Sequence, residues 1–439
     1  NSSHVEQCQS SVKFNSNCLV ILTPLFVMGQ SNIDCPIMST INYLYHSVEP
    51  DAVNNAGYTE FDTLDFSLAF PSRAMVAGSI RVEGELQILN GAAEIVDGDR
   101  VSIDHMIGAH ALVQSCVSST LNAGVIENIT NLPRFVAMKT NATKHRNDMC
   151  NSEMVCELRS PDDRIQQKLL KPRCPADIGG GTNDPVNANG HRGSAGAVAT
   201  QYPIVSNPEA YEKPDFSFKP HIVFNNVVGV NKLINYSTTG DVKISLNLGR
   251  NAEVLFGADM SSTMTYKVFN MRVCFTSVPE PPKQSPVNLR ASLSLKSNLN
   301  STLATSTNRV PAICDSCSIS FMELNHENNI RFKNSELEPL PNVDAIRFNF
   351  NSSTNKYLAY ELKTKPEIIS EGLKALSEGT GSNNVTLDKL AANKGMVAGL
   401  KFGEFIDLSK QRFSIQIASG ILTASPYVMY AYFHSLISI

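Results

Sequence analysis

The chain has 439 residues, 42% of them hydrophobic and 18% charged, and 37 Lys and Arg stand against 41 Asp and Glu for a formal charge of −4. That length exceeds the roughly 250 to 300 residues at which a single core stops growing, so two packed cores are expected and a disordered chain is excluded. The stretch from Asn1 to Asn17 holds one lysine and one glutamate, which excludes a basic arm that would condense nucleic acid by neutralising phosphates.

Ten cysteines in this length fall far below the density of small disulfide-stapled domains. They read as thiols of a reducing compartment, with a disulfide scaffold as the alternative. Seven sequons (Asn1, Asn128, Asn141, Asn235, Asn300, Asn351 and Asn384) would suit a secreted glycoprotein, but a chain rich in Asn, Ser and Thr generates such triplets by chance. No signal peptide is read. Leu19 to Met28 is apolar, yet it contains Pro24 and is too short to span a bilayer.

Residues 1–55 read as an extended arm followed by an early strand. Period-two alternation, which places one set of side chains on each face of a strand, then recurs. It marks Leu64–Phe70, Ile80–Ile88, Ala111–Val117 and Phe135–Met138. From Cys174 to Pro203 the pattern stops. Gly179-Gly180-Gly181, Asp184-Pro185, Asn189-Gly190 and Gly193 to Gly196 make this a long turn-rich loop, expected at the surface. Strands resume at Phe216–Phe224, Val242–Leu248 and Met264–Phe275. In the last, a phase shift between Val268 and Met271 predicts a bulge. The cluster Val278-Pro279-Glu280-Pro281-Pro282-Lys283 cannot lie inside a sheet and is read as the linker between two domains.

Beyond it, strands are expected at Leu289–Leu295, Ser318–Met322, Ala345–Phe350, Tyr357–Leu362, Phe413–Ala418 and Tyr427–Phe433. One helix is predicted over Pro366–Leu376, with Thr364 as N-cap and Ile368, Ile369, Leu373 and Leu376 on one face. The fold class is therefore all-β, two antiparallel sandwiches with one or few short helices. The domains are 1–55 (arm and early strand), 56–283 (first sandwich, carrying the loop at 174–203) and 284–439 (second sandwich).

Constellations that carry chemistry are weak. Cys314-Asp315-Ser316-Cys317 has CxxC spacing, but no second half completes a zinc site and no helix follows as in a redox motif; it reads as two reduced thiols at a turn. Cys150, Cys156 and Cys174 could bridge only in an oxidising setting. His105 and His110, with Asp104 adjacent, are five apart and share neither a helix nor a strand face. Asp162 and Asp163 read as a solvated pair, and Lys168, Lys171 and Arg173 as a solvated basic face. No nucleophile elbow is present. No catalytic, cofactor-binding or metal-binding residue is assigned, and no cofactor is expected.

Several stretches together resemble a known family. Phe70-Pro71-Ser72-Arg73-Ala74 through Gly78-Ser79-Ile80-Arg81-Val82-Glu83-Gly84 resembles the opening strands of a viral capsid jelly roll. Ile103-Asp104-His105-Met106-Ile107-Gly108-Ala109-His110 follows, then Gly124-Val125-Ile126-Glu127-Asn128 with Leu132-Pro133-Arg134. Asp215-Phe216-Ser217-Phe218 and Thr239-Gly240-Asp241-Val242-Lys243-Ile244 come next. Ser318-Ile319-Ser320-Phe321-Met322-Glu323, Phe348-Asn349-Phe350-Asn351 and Pro426-Tyr427-Val428-Met429-Tyr430 close the series. In this order, over residues 60–439, they are similar to the double jelly-roll major capsid proteins of the polinton-like virus and virophage lineage. Each motif is mainly strand-and-turn chemistry, so the order carries the likeness.

The resemblance implies a non-enzymatic capsid subunit of the virion, forming homotrimers of pseudo-hexameric outline that tile an icosahedral shell. Its implied partners are copies of itself, neighbouring capsomers, and penton and minor capsid proteins. Sequence-specific nucleic-acid binding is not expected, and an internal membrane beneath the shell stays open. The alternatives are a penton or minor jelly-roll capsid protein, a secreted adhesive β-sandwich glycoprotein, and a carbohydrate-active β enzyme.

Overall fold

The computed structural model describes residues 42–95, 101–143, 156–160, 213–256, 263–281, 285–300, 303–308, 310, 312–326, 337, 343–351, 358–376, 397–410, 412–419 and 426–439. Residues 1–41, the loop at 174–203, Asp162, Asp163 and the basic run Lys168–Arg173 lie outside them.

The first strands are β1 (Leu44–Val48), β2 (Thr63–Leu68), β3 (Arg73–Val76), β4 (Arg81–Asn90), β5 (Ala93–Glu94), β6 (Ser102–Ile103), β7 (Val113–Thr120) and β8 (Gly124–Thr130). After helix α1 (Leu132–Thr143) come β9 (Asp215–Phe218), β10 (Val227–Val228), β11 (Leu233–Asn235), β12 (Val242–Leu248), β13 (Leu255–Phe256) and β14 (Met264–Pro279). The remainder supplies β15 (Asn288–Leu299), β16 (Leu303–Asn308), β17 (Ile313–Glu323), β18 (Val343–Asn351) and β19 (Leu358–Leu362). Helix α2 (Lys365–Leu376), β20 (Ala398–Asp407), β21 (Arg412–Ser419) and β22 (Tyr427–Ser438) complete it.

Three large sheets result. A seven-stranded sheet runs β11-β3-β14-β4-β5, with β1 also on β14 and β9 also on β4. A nine-stranded sheet runs β2-β12-β7-β8-β15-β22-β17-β20, with β10 also on β15, and a four-stranded sheet runs β16-β21-β18-β19. The nine-stranded sheet serves both halves: β2, β12, β7 and β8 face the seven-stranded sheet, and β15, β22, β17 and β20 face the four-stranded one. Among the described residues every strand pairing is antiparallel except that of β8 with β15, which is parallel through Asn128 and Leu293.

The alternation seen in the sequence is the burial pattern. On β12, Val242, Ile244 and Leu246 are buried while Lys243 is exposed, each buried chain contributing roughly 1.5–3 kcal/mol. Two hydrophobic clusters form. One gathers Phe66, Phe70, Phe218, Val242 and Phe275 and extends past the proline cluster to Val428, Tyr430 and Tyr432. The other centres on Phe413, whose ring lies 5.0 Å from Phe350, 5.4 Å from Phe433 and 5.9 Å from Phe402. The bulge expected after Val268 is present: the β14–β4 register shifts between Phe269 and Arg272, and Asn270 takes the left-handed conformation at φ 51° that Asn tolerates.

Several elements differ from the sequence expectation. Phe135–Met138 is helical, not a strand. Pro133 suits a first helical turn, and Phe135, Val136, Ala137 and Met138 are all buried, so enclosure on all sides hides the helical period. Strand β14 runs on into the proline cluster and ends at Pro279, paired with Arg73, beyond Ser277 where β1 stops; a strand end tolerates a missing N–H. Cys314 and Cys317 lie within β17, not at a turn, with a register shift between Cys314 and Ser316. Strands β16 and β20 lack a sequence signal. The first is poor in apolar residues, and the second is broken by Gly399 and Gly403 and bulges over Phe402–Phe405. Helix α2 matches its prediction. Thr364 Oγ1 accepts from the Glu367 N–H at 3.4 Å, and Gly372 is required because a Cβ there would lie 2.3 Å from the Val397 carbonyl oxygen.

Candidate functional site at the seam between the sandwiches

The two halves meet where β8 runs beside β15 and β10 pairs with the start of β15, and side chains add to the joining. The Thr130 N–H donates to Ser294 Oγ at 2.6 Å, and the two hydroxyls lie 2.8 Å apart. Glu127, on the inward phase of β8 and fully buried, accepts from the Ser292 N–H of β15 at 2.9 Å. Its other oxygen accepts from the Val223 N–H at 2.6 Å. A buried polar row thus crosses the sheet in register. Ser118 opposes Glu127, and Ser292 opposes His434. His434 is bonded on both ring nitrogens, to Ser292 Oγ at 3.0 Å and Ser318 Oγ at 2.9 Å.

Helix α1 covers the row. It follows Asn131, held at φ 53°, whose carbonyl accepts from the Tyr432 hydroxyl at 3.0 Å. The Phe135 ring lies 5.0 Å from Tyr432 and 5.8 Å from His434. Arg134 is fully buried; its Nε donates to Ser320 Oγ at 2.7 Å and one Nη to the Phe321 carbonyl. Strand β22 is therefore covered on both faces. Met429, Ala431 and Phe433 enter the second cluster, and Tyr430, Tyr432 and His434 face α1. Burial is continuous from Tyr427 to Ser435.

Burial pushes the Glu127 carboxyl up to about 8, against the pull of its two backbone N–H donors. Burial, reinforced by Arg290 and Lys139, holds His434 well below the ordinary histidine value. A second group adjoins the seam. His110, on the turn Gly108–Leu112, is buried with Nε2 3.8 Å from Glu157 Oε2, which lies 2.9 Å from Arg159 Nε. Burial lowers His110. Burial also opposes ionisation of Glu157, yet His110 and Arg159 hold it down to about 2. His221 stands 5.5 Å from His110. Gly108, at φ 55°, allows the approach, since a Cβ would lie 2.1 Å from the Glu157 carbonyl oxygen.

Of the sequence constellations, Asp104, His105 and His110 share one segment, and only His110 enters the buried group. Among the described residues no cluster of three His, Cys, Asp or Glu is arranged to hold a metal. Cys314 and Cys317 are buried in the second cluster; burial raises both thiols, Cys314 to about 12. Of the sequons, Asn141 and Asn235 are buried, whereas Asn128 and Asn300 are exposed. A cleft of about 420 Å³ on the seven-stranded sheet contains Glu83, Glu85 and Asp215. There Glu83 is bound to Arg272 at 2.9 Å and Glu85 accepts from Asn270 at 2.6 Å.

Sequence reasoning missed Glu127, Arg134, Ser292 and His434. One signal was available: the run from Tyr427 to Phe433 is apolar without alternation, which marks a strand covered on both faces, so the histidine following it is interior. Large exposed apolar side chains also gather at one end of the nine-stranded sheet, where β8, β15 and β17 begin and β22 and β20 end. They are Leu121, Val125, Ile313, Phe405 and Leu436.

Two jelly-roll sandwiches in one chain, sharing a sheet, define the double jelly-roll class of fold, as the sequence leads one to expect. Among solved structures the chain is similar to the PBCV-1 virus capsid, at 9% identity over 94% of this chain and 97% of that one, with a TM-score of 0.50. A Sputnik virophage chain matches at 10% identity over 97% and 94% with a TM-score of 0.49. The Faustovirus major capsid protein matches at 10% over 94% and 92%, also at 0.49. No protein-family model and no curated protein matches the sequence. At these identities the likeness is one of fold.

Proposed function

We propose that this chain is a structural subunit of a viral capsid, a major capsid protein that assembles with copies of itself in the virion. The observation that carries the reading is the fold: two sandwiches fused through one sheet, matched along nearly the whole chain to the PBCV-1 virus capsid. Two sandwiches per chain make three chains a pseudo-sixfold unit, which suits an icosahedral facet. The apolar side chains exposed at one end of the shared sheet would supply surface for contacts with other subunits. In this reading residues 56–283 form the first sandwich, 284–439 the second, and 1–55 an arm and early strand, of which residues 1–30 serve assembly, and no catalysis is assigned. Penton and minor capsid proteins would be the further partners.

Light scattering after size exclusion and negative-stain microscopy test the proposal. The expected result is a particle about three times the 47.9 kDa chain mass with a hexagonal outline, and closed shells at higher concentration. A strictly monomeric protein that forms neither trimers nor shells under any condition would overturn it.

A further inference from the structure

Glu127 and His434 belong to different sandwiches, yet they meet on one residue. Ser292 gives its N–H to Glu127 Oε1, and its hydroxyl is hydrogen-bonded to His434 Nδ1 at 3.0 Å. Lifting β8, with the helix α1 that follows it, away from β15 would expose Glu127 at the strand contact and His434 beneath Phe135. We propose that the seam is a proton-operated joint in which Glu127 and His434, meeting on Ser292, act with opposite sign: base loosens it through Glu127 and acid loosens it through His434.

Among the described residues, burial outweighs the groups that favour an ionised Glu127, and cations add to burial at His434. Glu127 faces Ser118 on β7, the Val223 N–H, Ser292 on β15 and, from α1, Lys139. His434 faces Ser292 and Arg290 on β15 and Ser318 on β17, with Asp315 already paired to Arg290 at 3.0 Å. From α1 it faces the Phe135 ring and Lys139. Arg134 of the same helix is bonded to Ser320 and Phe321, and the His221 ring lies 6.5 Å from that of Phe135. A protonated His434 would therefore add a cation among cations, and an ionised Glu127 would be a buried anion.

The directions follow from linkage. Glu127 is raised from its ordinary value of 4.5 to about 8 in the closed joint, so its contribution to closure is full below pH 4.5 and is lost as pH rises through 8. His434 is depressed from 6.5, so its contribution is full above pH 6.5 and is lost as pH falls below that value and through its own. Between pH 6.5 and 4.5 the two trends oppose each other, and removing either residue exposes the other's slope. His110 and His221 contribute equally to every protein compared.

Hydrogen–deuterium exchange of the full-length protein, read by mass spectrometry on peptides from β8, β15 and β22, tests the joint. Rates are corrected for intrinsic exchange and referenced to β18 and β21. In the unmodified protein, opening of the seam should increase roughly tenfold from pH 6.5 to 8.5. From pH 6.5 down to 5.5, Glu127→Gln should open about fivefold more, whereas His434→Gln should open about tenfold less. A purely structural role would shift protection by a factor independent of pH. A seam in the unmodified protein with pH-independent protection from 6.5 to 8.5, or parallel profiles for the proteins that fold, overturns the proposal. If Glu127→Gln does not fold, the alkaline limb of the unmodified protein and the His434→Gln slope decide it.

Discussion

Arg134 on α1 and Ser320 on β17 are joined by a 2.7 Å hydrogen bond between two fully buried side chains 186 residues apart in sequence. The guanidinium continues to the Phe321 carbonyl, so one side chain from the first half of the chain grips two successive residues of a central strand in the second. Its fork of donors suits this task in a way that a lysine's single ammonium does not.

Arg134→Met keeps much of the volume and removes the charge-assisted bonds, each contributing about 1.5–3 kcal/mol. The expected result is a loss of about 2–4 kcal/mol in urea unfolding. Arg134→Lys should recover less than half of it. A change below about 0.5 kcal/mol, the range of ordinary surface substitutions, would show that the grip does not stabilise the fold.

Gly372 is where α2 touches β20. A Cβ there would stand 2.3 Å from the Val397 oxygen and 2.7 Å from its carbonyl carbon, so the helix must lift off the strand. In an exposed helix Ala is better than Gly by about 1 kcal/mol. Here Gly372→Ala should instead destabilise by about 1–3 kcal/mol through overpacking. Thermal melting gives the sign directly, and a raised Tm would refute the close approach.

What the sequence revealed and what it concealed follow the same rule. A strand with one wet face writes its burial as alternation, so β12 and β21 are legible from Val242–Leu248 and Phe413–Ala418. The N-cap and apolar face of α2 are legible for the same reason: Glu367 is exposed while Ile368 is buried. Helix α1 and strand β22 lie between two layers and have no wet face, so Phe135–Met138 looked like a strand. The seam was hidden more deeply. Glu127 and Ser292 are 165 residues apart, and their meeting depends on the parallel pairing of β8 with β15, which no local pattern encodes.

The five described cysteines should separate sharply by reactivity. Cys156 is exposed, whereas Cys116, Cys274, Cys314 and Cys317 are buried. Alkylation requires the thiolate, and burial raises the thiols of all four buried residues. Brief N-ethylmaleimide treatment at pH 7.5, followed by peptide mass mapping, should label Cys156 at least tenfold faster than those four. Unfolding in guanidinium should remove the difference. Fast labelling of Cys317 in the native protein would place β17 wrongly.

The proposed assembly arm can be tested by removal. Among the described residues both hydrophobic clusters draw their buried members from Tyr58 onward, and the prediction is that neither core needs residues 1–30. The segment Leu19–Met28 carries several large apolar side chains, each contributing roughly 1.5–3 kcal/mol if buried against another subunit. Deleting residues 1–30 should therefore leave the unfolding midpoint of the isolated subunit within about 0.5 kcal/mol of the full chain, as for any change away from the core. The same deletion should stop shells from closing, as judged by negative-stain microscopy at matched concentration. Complete shells of unchanged stability would show that the arm is dispensable for assembly. A truncated chain that cannot fold would instead place those apolar residues in the subunit's own core, and either result would remove the assembly role.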